Sequence, residues 1–151
     1  MTQSLTKFLQ NVERIKYATQ QGTKTHALLQ QVVIDDVVGV SGNPDIVATI
    51  QQRQDLLPYF AANARTEVPI AGVINGIFIS RRIDRIVIDT STKTIKFLDY
   101  KTDTDKQIFH DKYKNQVMEY AQLLRSAYPD YKIFGFVLWL QDWELEKIIS
   151  L

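Results

Sequence analysis

Residues 77–102 read IFISRRIDRIVIDTSTKTIKFLDYKT, and this segment carries the main signal for the architecture of the chain. Residues 77–88 and 94–100 have the composition and alternation of strands, and the polar run 89–93 between them predicts a turn. The preceding pair Asn75-Gly76 is the preferred two-residue hairpin turn, and it follows another strand-like run at residues 68–73. We therefore predict three consecutive strands in an antiparallel meander.

The residues after this meander predict one helix and two further strands. A polar loop is expected at 102–109, then a helix over 113–128 that Pro129 ends. Residues 132–140 form a nearly continuous apolar run, which predicts a buried strand, and residues 143–149 alternate as a last strand would.

The residues before the meander predict helices. A first amphipathic helix has apolar residues at helical spacing, and Gly22-Thr23 breaks it, so that Thr23 would cap a second helix. The apolar positions of the first are Leu5, Phe8, Leu9, Val12 and Ile15, and the second carries His26, Leu28, Leu29 and Val32. Asn43 and Pro44 have the residue types of an N-cap and a first helical position, and the helical spacing that follows runs to Phe60 in two pieces, interrupted at Pro58.

This order of elements predicts an α+β or mixed α/β fold in which helices flank one mixed sheet. The length of 151 residues fits a single domain over residues 1–151. Apolar residues make up 45% of the chain and charged residues 23%, as in ordinary globular proteins. No apolar run approaches the roughly 20 residues of a membrane span, and the N-terminus lacks a signal peptide, so we expect no membrane association and a cytoplasmic location.

Charge and cysteine content exclude several functional classes. The net charge of +1 means that attraction to a nucleic acid would have to come from a local basic patch. The chain contains no cysteine, which excludes disulfides, zinc sites with thiolate ligands, cysteine nucleophiles and iron–sulfur clusters.

Asp84 and Asp99 are the candidate centre of a functional site, because each lies in one of two neighbouring predicted strands. Two carboxylates held together in this way favour a hard divalent cation. Lys101 follows Asp99 by two residues and therefore points to the same face of its strand. Two acids, a cation and a lysine are the components of a site that hydrolyses phosphodiesters.

Four blocks carry a family resemblance: GTKTHALL (22–29), ISRRIDRI (79–86), LDYKT (98–102) and QVMEY (116–120). Their pattern resembles the nuclease domain at the C-terminus of AddA- and RecB-type helicase–nucleases, in the PD-(D/E)XK superfamily. The third block matches the D-Y-K-T of that family outright, and the others resemble its G-T-x-x-H-x-L-L, G-x-I-D-x-I and Q-x-x-x-Y blocks in family order. The resemblance implies a restriction-endonuclease-like fold and a metal-dependent DNA exonuclease.

The resemblance also implies roles for single residues. Asp84, Asp99, the backbone carbonyl of Tyr100 and His26 would bind Mg²⁺, and Lys101 would position the attacking water or stabilise charge on the phosphate. Because the imidazole of His26 is a softer ligand than Mg²⁺ prefers, we expect Mn²⁺ to support activity at least as well.

Two further residues, Gln116 and Tyr120, share one face of the predicted helix, since they are four residues apart. They either contact DNA or support Lys101 near the site, or form a hydrogen-bonded face that packs on the sheet.

Arginines beside Asp84 bear on substrate binding. Arg81 stands where the family usually has glycine, and it either narrows the site or reaches a phosphate. With Arg82 it belongs to a predicted basic rim for sequence-independent DNA contacts, which consists of Arg65, Arg81, Arg82, Arg85, Lys101, Lys112 and Lys114. Glu67 is either an auxiliary acid of the metal site or a cap or surface ion pair, and His110 is read as a surface residue.

The sequence reading is thus a DNA exonuclease that resembles the nuclease of an AddA-type subunit in double-strand-break repair. The chain has no Walker A lysine motif, so we expect it to lack the helicase of full-length relatives. An excised domain is favoured because the first residues read as a cut into helical sequence, and the missing helicase domains and an AddB-type subunit are then the expected partners. Two alternatives remain: a stand-alone RecB-like exonuclease, or a catalytically silent DNA-binding or interaction module of the same fold.

Overall fold

A five-stranded mixed sheet organises the computed structural model, which describes residues 5–7, 9–10 and 24–151. The strands of this sheet are β3 (Arg65–Ile74), β4 (Ile77–Asp89), β5 (Thr94–Lys101), β6 (Lys132–Trp139) and β7 (Glu144–Ser150), in that spatial order. A separate two-stranded sheet pairs β1 (Val33–Asp35) with β2 (Gly39–Ser41). From residue 24 onward the helices are α1 (residues 24–30), α2 (Pro44–Gln51) and α3 (Lys106–Ala127), with a short 3-10 helix at Leu57–Phe60.

Strand pairing confirms the predicted α+β class with helices flanking a mixed sheet. β3, β4 and β5 form the predicted antiparallel meander, and β6 pairs with β7 in the same way. β5 and β6 are parallel, because α3 carries the chain back across the sheet between them. No helix in the described part of the chain is long and apolar enough to cross a membrane.

The turn between β3 and β4 lies where the sequence placed it. Asn75 has φ 51° and Gly76 has φ 77°, the two positive values that a type I′ hairpin turn requires. Asparagine and glycine adopt this backbone region at the lowest steric cost. The turn therefore fixes the register in which Ile74 faces Ile77 and in which the rest of the hairpin follows.

The core lies on both faces of the sheet. On one face, α3 packs against apolar side chains of β4, β5 and β6, including Ile83, Phe97 and Val137. On the other face, α1, α2 and the 3-10 helix cover a second buried cluster that includes Leu98 and Leu138. The central strands β5 and β6 are thus buried on both sides, which explains their apolar sequences.

Four local predictions differ from the structure. α3 begins at Lys106, seven residues before the predicted start, because the side chain of Asp105 accepts a hydrogen bond from Ile108 N (3.2 Å) as N-cap. Residues 106–109 are therefore helix rather than loop. α1 ends at residue 30, so Val32 lies beyond it, and the 57–60 piece is 3-10 rather than α-helix.

The fourth difference is the β1–β2 hairpin, which the sequence analysis missed. Its strands have three residues each and no buried face, so they carry no periodicity that a sequence pattern would reveal. Farther along, the Asn43 cap of α2 is confirmed, because its side chain accepts hydrogen bonds from Asp45 N (3.0 Å) and Ile46 N (3.2 Å). Residues 5–7 and 9–10 are helical, whereas Phe8, Val12, Ile15 and the Gly22-Thr23 break lie outside the described residues.

Candidate active site

The candidate site lies at a fork in the sheet, where β4 separates from β5. The β4–β5 ladder begins at Arg85, which faces Leu98, and Asp84 is the first residue of β4 beyond it. The Asp84 side chain takes the place of a strand neighbour, since its Oδ2 accepts a hydrogen bond from Tyr100 N (2.7 Å). This contact joins the two sequence blocks that were expected to form the site.

Asp84 and Asp99 form a buried pair of acids. Only 7% of Asp84 and 4% of Asp99 is exposed. Burial raises the pKa of Asp84 to about 9, and contact with the Asp99 carboxyl and the charge of Glu67 add to that rise, while the Tyr100 N–H opposes it. A second acid beside Asp84 in a low-dielectric site disfavours the charged form of Asp84, and a bound cation would reverse this.

Lys101 lies against this pair and is held by α3. Its Nζ is 2.8 Å from Asp99 Oδ2 and donates a hydrogen bond to Gln116 Oε1 (2.9 Å). Gln116 Nε2 in turn donates to Tyr120 Oη (2.9 Å). The structure contains both readings of the Gln116–Tyr120 face: Gln116 contacts Lys101, and Tyr120 is hydrogen-bonded to Gln116 and buried on the sheet against Phe97. Contact with DNA stays a prediction.

A third α3 side chain, which the sequence analysis missed, completes the surroundings of Lys101. The ammonium lies 4.2 Å from the centre of the Tyr113 ring, a cation–π distance. Tyr113 precedes Gln116 by three residues and Tyr120 by seven, so all three share one helical face. That spacing was visible in the sequence, but a tyrosine at such a position equally fits an ordinary core residue.

Asp99 Oδ2 suits a cation in one further respect. Among the described residues it is a buried oxygen without a hydrogen-bond partner of suitable geometry, although the Lys101 ammonium is close. Buried carboxylate oxygens are normally satisfied by hydrogen bonds or by metal coordination. The donor set therefore fits a hard divalent cation.

His26 reaches the site from α1. Its ring meets the ring of Tyr100 edge-on, with 5.3 Å between centres. Burial lowers the pKa of His26, while the charge of Asp99 raises it and that of Lys101 lowers it. The neutral imidazole that burial favours is the form that can ligate a metal. However, the described residues contain no group of three or more His, Cys, Asp or Glu side chains arranged to hold a metal ion.

Glu67 faces the acid pair from β3. Its neighbours Thr66 and Val68 pair with Arg85 and Ile83, which places Glu67 opposite Asp84. Glu67 has φ 51°, which is a strained backbone conformation for this residue type. Residues in such conformations cluster at functional sites. The structure shows the surface ion pair considered from sequence, since Glu67 lies 3.8 Å from Arg82. The charge of Glu67 also raises the pKa of Asp84 and of His26, and its role as an auxiliary acid of a metal site stays a prediction.

The predicted basic rim is wrong for Arg85, which is only 2% exposed. Its guanidinium turns inward and donates four hydrogen bonds at 2.6–3.0 Å, to Leu29 O, Val32 O, Tyr59 O and Tyr100 Oη. Arg85 therefore ties α1 and the 3-10 helix to β5 and does not face a substrate. The alternation of side chains along β4 does not reveal that Arg85 is buried, because its hydrogen-bond partners are remote in sequence.

Other members of the rim lie at the surface. Arg82 is exposed, and Arg81 is exposed but contacts Glu119 of α3 at 3.4 Å. Exposed residues of the rim also include Arg65, Lys112 and Lys114. His110, read as a surface residue, lies on α3 and is hydrogen-bonded to Glu146 (2.7 Å) away from the acid pair.

No protein-family model matches the chain, and no curated protein matches it significantly.

Proposed function

We propose that this protein is a metal-dependent DNA nuclease that hydrolyses phosphodiester bonds. The observation that carries the proposal is the convergence of Asp84, Asp99 and Lys101 at the fork between β4 and β5. Buried acids of this kind are costly to a fold unless a cation compensates them, and the lysine supplies a positive charge on the same side. The four sequence blocks that resemble AddA- and RecB-type nucleases support the same conclusion.

Metal binding would use the carboxylates of Asp84 and Asp99, with the Tyr100 carbonyl and His26 as the further ligands implied by the resemblance. Mg²⁺ keeps several of its waters, so two carboxylates and few other protein ligands suffice. When bound, the cation would act as a Lewis acid on the phosphate and lower the pKa of a coordinated water. Mn²⁺ accepts a histidine ligand more readily than Mg²⁺, and it is expected to support activity at least as well.

Lys101 has the position of the group that recognises the phosphate. The Lys101 side chain is only 15% exposed, so the charge of its ammonium group is weakly screened by solvent. It can donate hydrogen bonds to the non-bridging oxygens as a water oxygen bonds to phosphorus and one ester P–O bond breaks. The contacts with Gln116 and Tyr113 hold the ammonium in place before substrate arrives.

The substrate class follows from the resemblance and from the surface charges. Exposed arginines such as Arg82 suit phosphate contacts that carry no sequence information, so we expect sequence-independent cleavage from linear DNA ends. An AddA-type role in double-strand-break repair, with helicase domains and an AddB-type subunit as partners in the cytoplasm, belongs to the same proposal.

Digestion of end-labelled linear DNA and of closed circular DNA tests the function. Purified protein would be incubated with single- and double-stranded forms of each in Mg²⁺, in Mn²⁺ and in chelator. We expect metal-dependent release of label from linear DNA, while circular DNA persists. Degradation of the circle at the same rate would show an endonuclease, and sites confined to one short sequence would contradict the sequence-independent contacts.

Metal binding, measured alongside by titration calorimetry with Mn²⁺, separates the alternatives. Binding without cleavage would indicate a nuclease that needs its partner subunits to deliver a DNA strand. Neither binding nor cleavage would favour the silent module of the same fold. Cleavage by this chain alone, without partners, fits a stand-alone RecB-like exonuclease as well as a separated domain.

A further inference from the structure

The β3–β4 hairpin extends well past the part of β4 that pairs with β5. Pairing with β5 covers Arg85 to Asp89, whereas pairing between β3 and β4 continues to the Ile74–Ile77 pair beside the turn. The segment beyond the fork has one face of exposed residues in cross-strand pairs: Arg82 with Pro69, Ser80 with Ala71, and Phe78 with Val73. This set is called the hairpin face below.

The opposite face of the same segment is anchored to α3. Val68 and Ile70 pack against the α3 side of the core, and Arg81 contacts Glu119. At Gly72 an added Cβ would lie 2.8 Å from a methyl carbon of Leu123, so the backbone approaches the helix closely. The extension is therefore a supported strand pair, and the hairpin face is presented to solvent on a rigid base.

The end of the hairpin face carries exposed apolar side chains. Phe78 is 69% exposed and its partner Val73 65% exposed, so an aromatic ring stands at the surface beside an aliphatic side chain. Large exposed apolar residues that neighbour each other mark interaction sites more often than isolated ones do.

The hairpin face leads to the Asp84 side of the candidate active site. Arg82 lies 3.8 Å from Glu67, and Glu67 stands opposite Asp84. Since a strand rises about 3.3 Å per residue, Phe78 lies roughly 20 Å from Asp84 along β4. That distance matches on the order of six stacked nucleotides at about 3.4 Å each.

We propose that the hairpin face is a binding track for a single DNA strand on its way to the acid pair. Arg82 would contact a phosphate near the site, and the Phe78 ring would stack on a base farther along. This combination of a cation with an exposed aromatic ring is how proteins bind single strands without reading sequence. A paired duplex does not expose its base faces, so the track selects unpaired DNA. The proposal rests on the nuclease function above and specifies its substrate.

Binding measured in chelator tests the track independently of catalysis. Fluorescence anisotropy of a labelled 12-nucleotide single strand at low salt would compare wild type with Phe78→Ala, Phe78→Leu and Phe78→Trp. We expect roughly tenfold weaker binding for the alanine and leucine variants and wild-type affinity or better for tryptophan, because only an aromatic ring stacks. Val38→Ala, an equally exposed position on the β1–β2 hairpin, is the matched control.

The length of the oligonucleotide and whether it is single- or double-stranded give two further readouts that a merely structural effect of the substitution would not change. The deficit of Phe78→Ala should appear with the 12-mer, shrink for oligonucleotides shorter than about six nucleotides, and be smaller for a blunt duplex. Melting temperatures of all variants should match wild type, since the replaced side chain is exposed.

Several results would overturn the track. The first is the absence of single-strand binding by wild type, and the second is equal affinity of wild type and Phe78→Ala. The third is wild-type affinity in Phe78→Leu, because this result would indicate an apolar docking site for protein. Cleavage in Mn²⁺ is scored separately. Ring-dependent binding by a protein that neither binds Mn²⁺ nor cleaves DNA would refute the nuclease function and keep the single-strand site, whereas cleavage without ring dependence would do the reverse.

Discussion

Arg85→Met tests how the fold positions the candidate site. Arg85 is buried with no carboxylate partner among the described residues, and its guanidinium donates hydrogen bonds to three backbone carbonyls and to Tyr100 Oη. It also lies over the Phe60 ring, 4.0 Å from its centre. Because Tyr100 stands between Asp99 and Lys101 and meets the His26 ring, Arg85 connects α1 and β5 behind the acid pair.

The expected loss follows from the acceptors that methionine would leave unpaired. Leu29 O would keep its hydrogen bond from Val32 N (3.2 Å), so three acceptors are orphaned: Val32 O, Tyr59 O and Tyr100 Oη. Each orphaned buried polar group costs about 1–3 kcal/mol, and the three together cost roughly 3–9 kcal/mol. Removal of the buried charge returns several kcal/mol of desolvation free energy. We therefore expect the free energy of unfolding to fall by about 3–5 kcal/mol, a large part of the stability of an ordinary domain.

Urea unfolding followed by tryptophan fluorescence would measure this loss. Tyr100→Phe removes one of the four acceptors and should cost about 1–2 kcal/mol. Arg53→Met, at a partly exposed arginine paired with Asp55, is the matched control and should cost less than Arg85→Met. A loss below about 1 kcal/mol in Arg85→Met would refute the view that Arg85 joins the two layers.

Three further outcomes are expected. The first concerns Asp84, whose raised pKa makes the free energy of unfolding of wild type fall by up to about 1.4 kcal/mol per pH unit between about pH 4 and 9. In chelator, Asp84→Asn should therefore become more stable relative to wild type as pH rises through that window. Melting temperatures that change in parallel with pH in the two proteins would contradict this. The hydrogen bond to Glu146 raises the pKa of His110, so the stability that this pair contributes is complete below about pH 6.5 and is lost as pH rises through the raised pKa. His110→Ala should therefore lower the free energy of unfolding in urea more at pH 5.5 than at pH 9. An equal loss at both pH values would argue against this. Gln116→Ala should lower kcat/KM on oligonucleotides roughly 10-fold by releasing Lys101, and unchanged kinetics would show that Gln116 only packs.

Local patterns were enough to predict the framework of the site. Alternation along residues 77–102 and the Asn75-Gly76 turn fixed which strands are neighbours, and the two acids then had to meet at one level of the sheet. Lys101 followed from the two-residue period of its strand. These features depend on residues close in sequence, and for that reason the pattern alone predicts them.

Long-range packing decided what the sequence left open. Arg85 reads as one more surface arginine beside Asp84, yet its acceptors at Leu29, Val32 and Tyr59 lie 26–56 residues away. The helical start of α3 was missed because the polar residues after its Asp105 cap read as a loop. The positive φ of Glu67, opposite Asp84, could not be predicted, because nothing about a glutamate in the sequence indicates that backbone conformation.

The central claim is that Asp99 and Lys101 act in one metal-dependent hydrolytic site with different roles. Wild type, Asp99→Asn and Lys101→Met would be compared for Mn²⁺ binding and for release of label from end-labelled single-stranded DNA. Exposed controls are Asp111→Asn and, on the same strand as Lys101, Lys96→Met. We expect Asp99→Asn to lose both metal binding and cleavage, and Lys101→Met to bind Mn²⁺ while cleaving about 10²–10³-fold more slowly. The account would be contradicted if either variant cleaved within a few-fold of an active wild type. It would also be contradicted if wild type neither bound Mn²⁺ nor cleaved DNA under any metal condition.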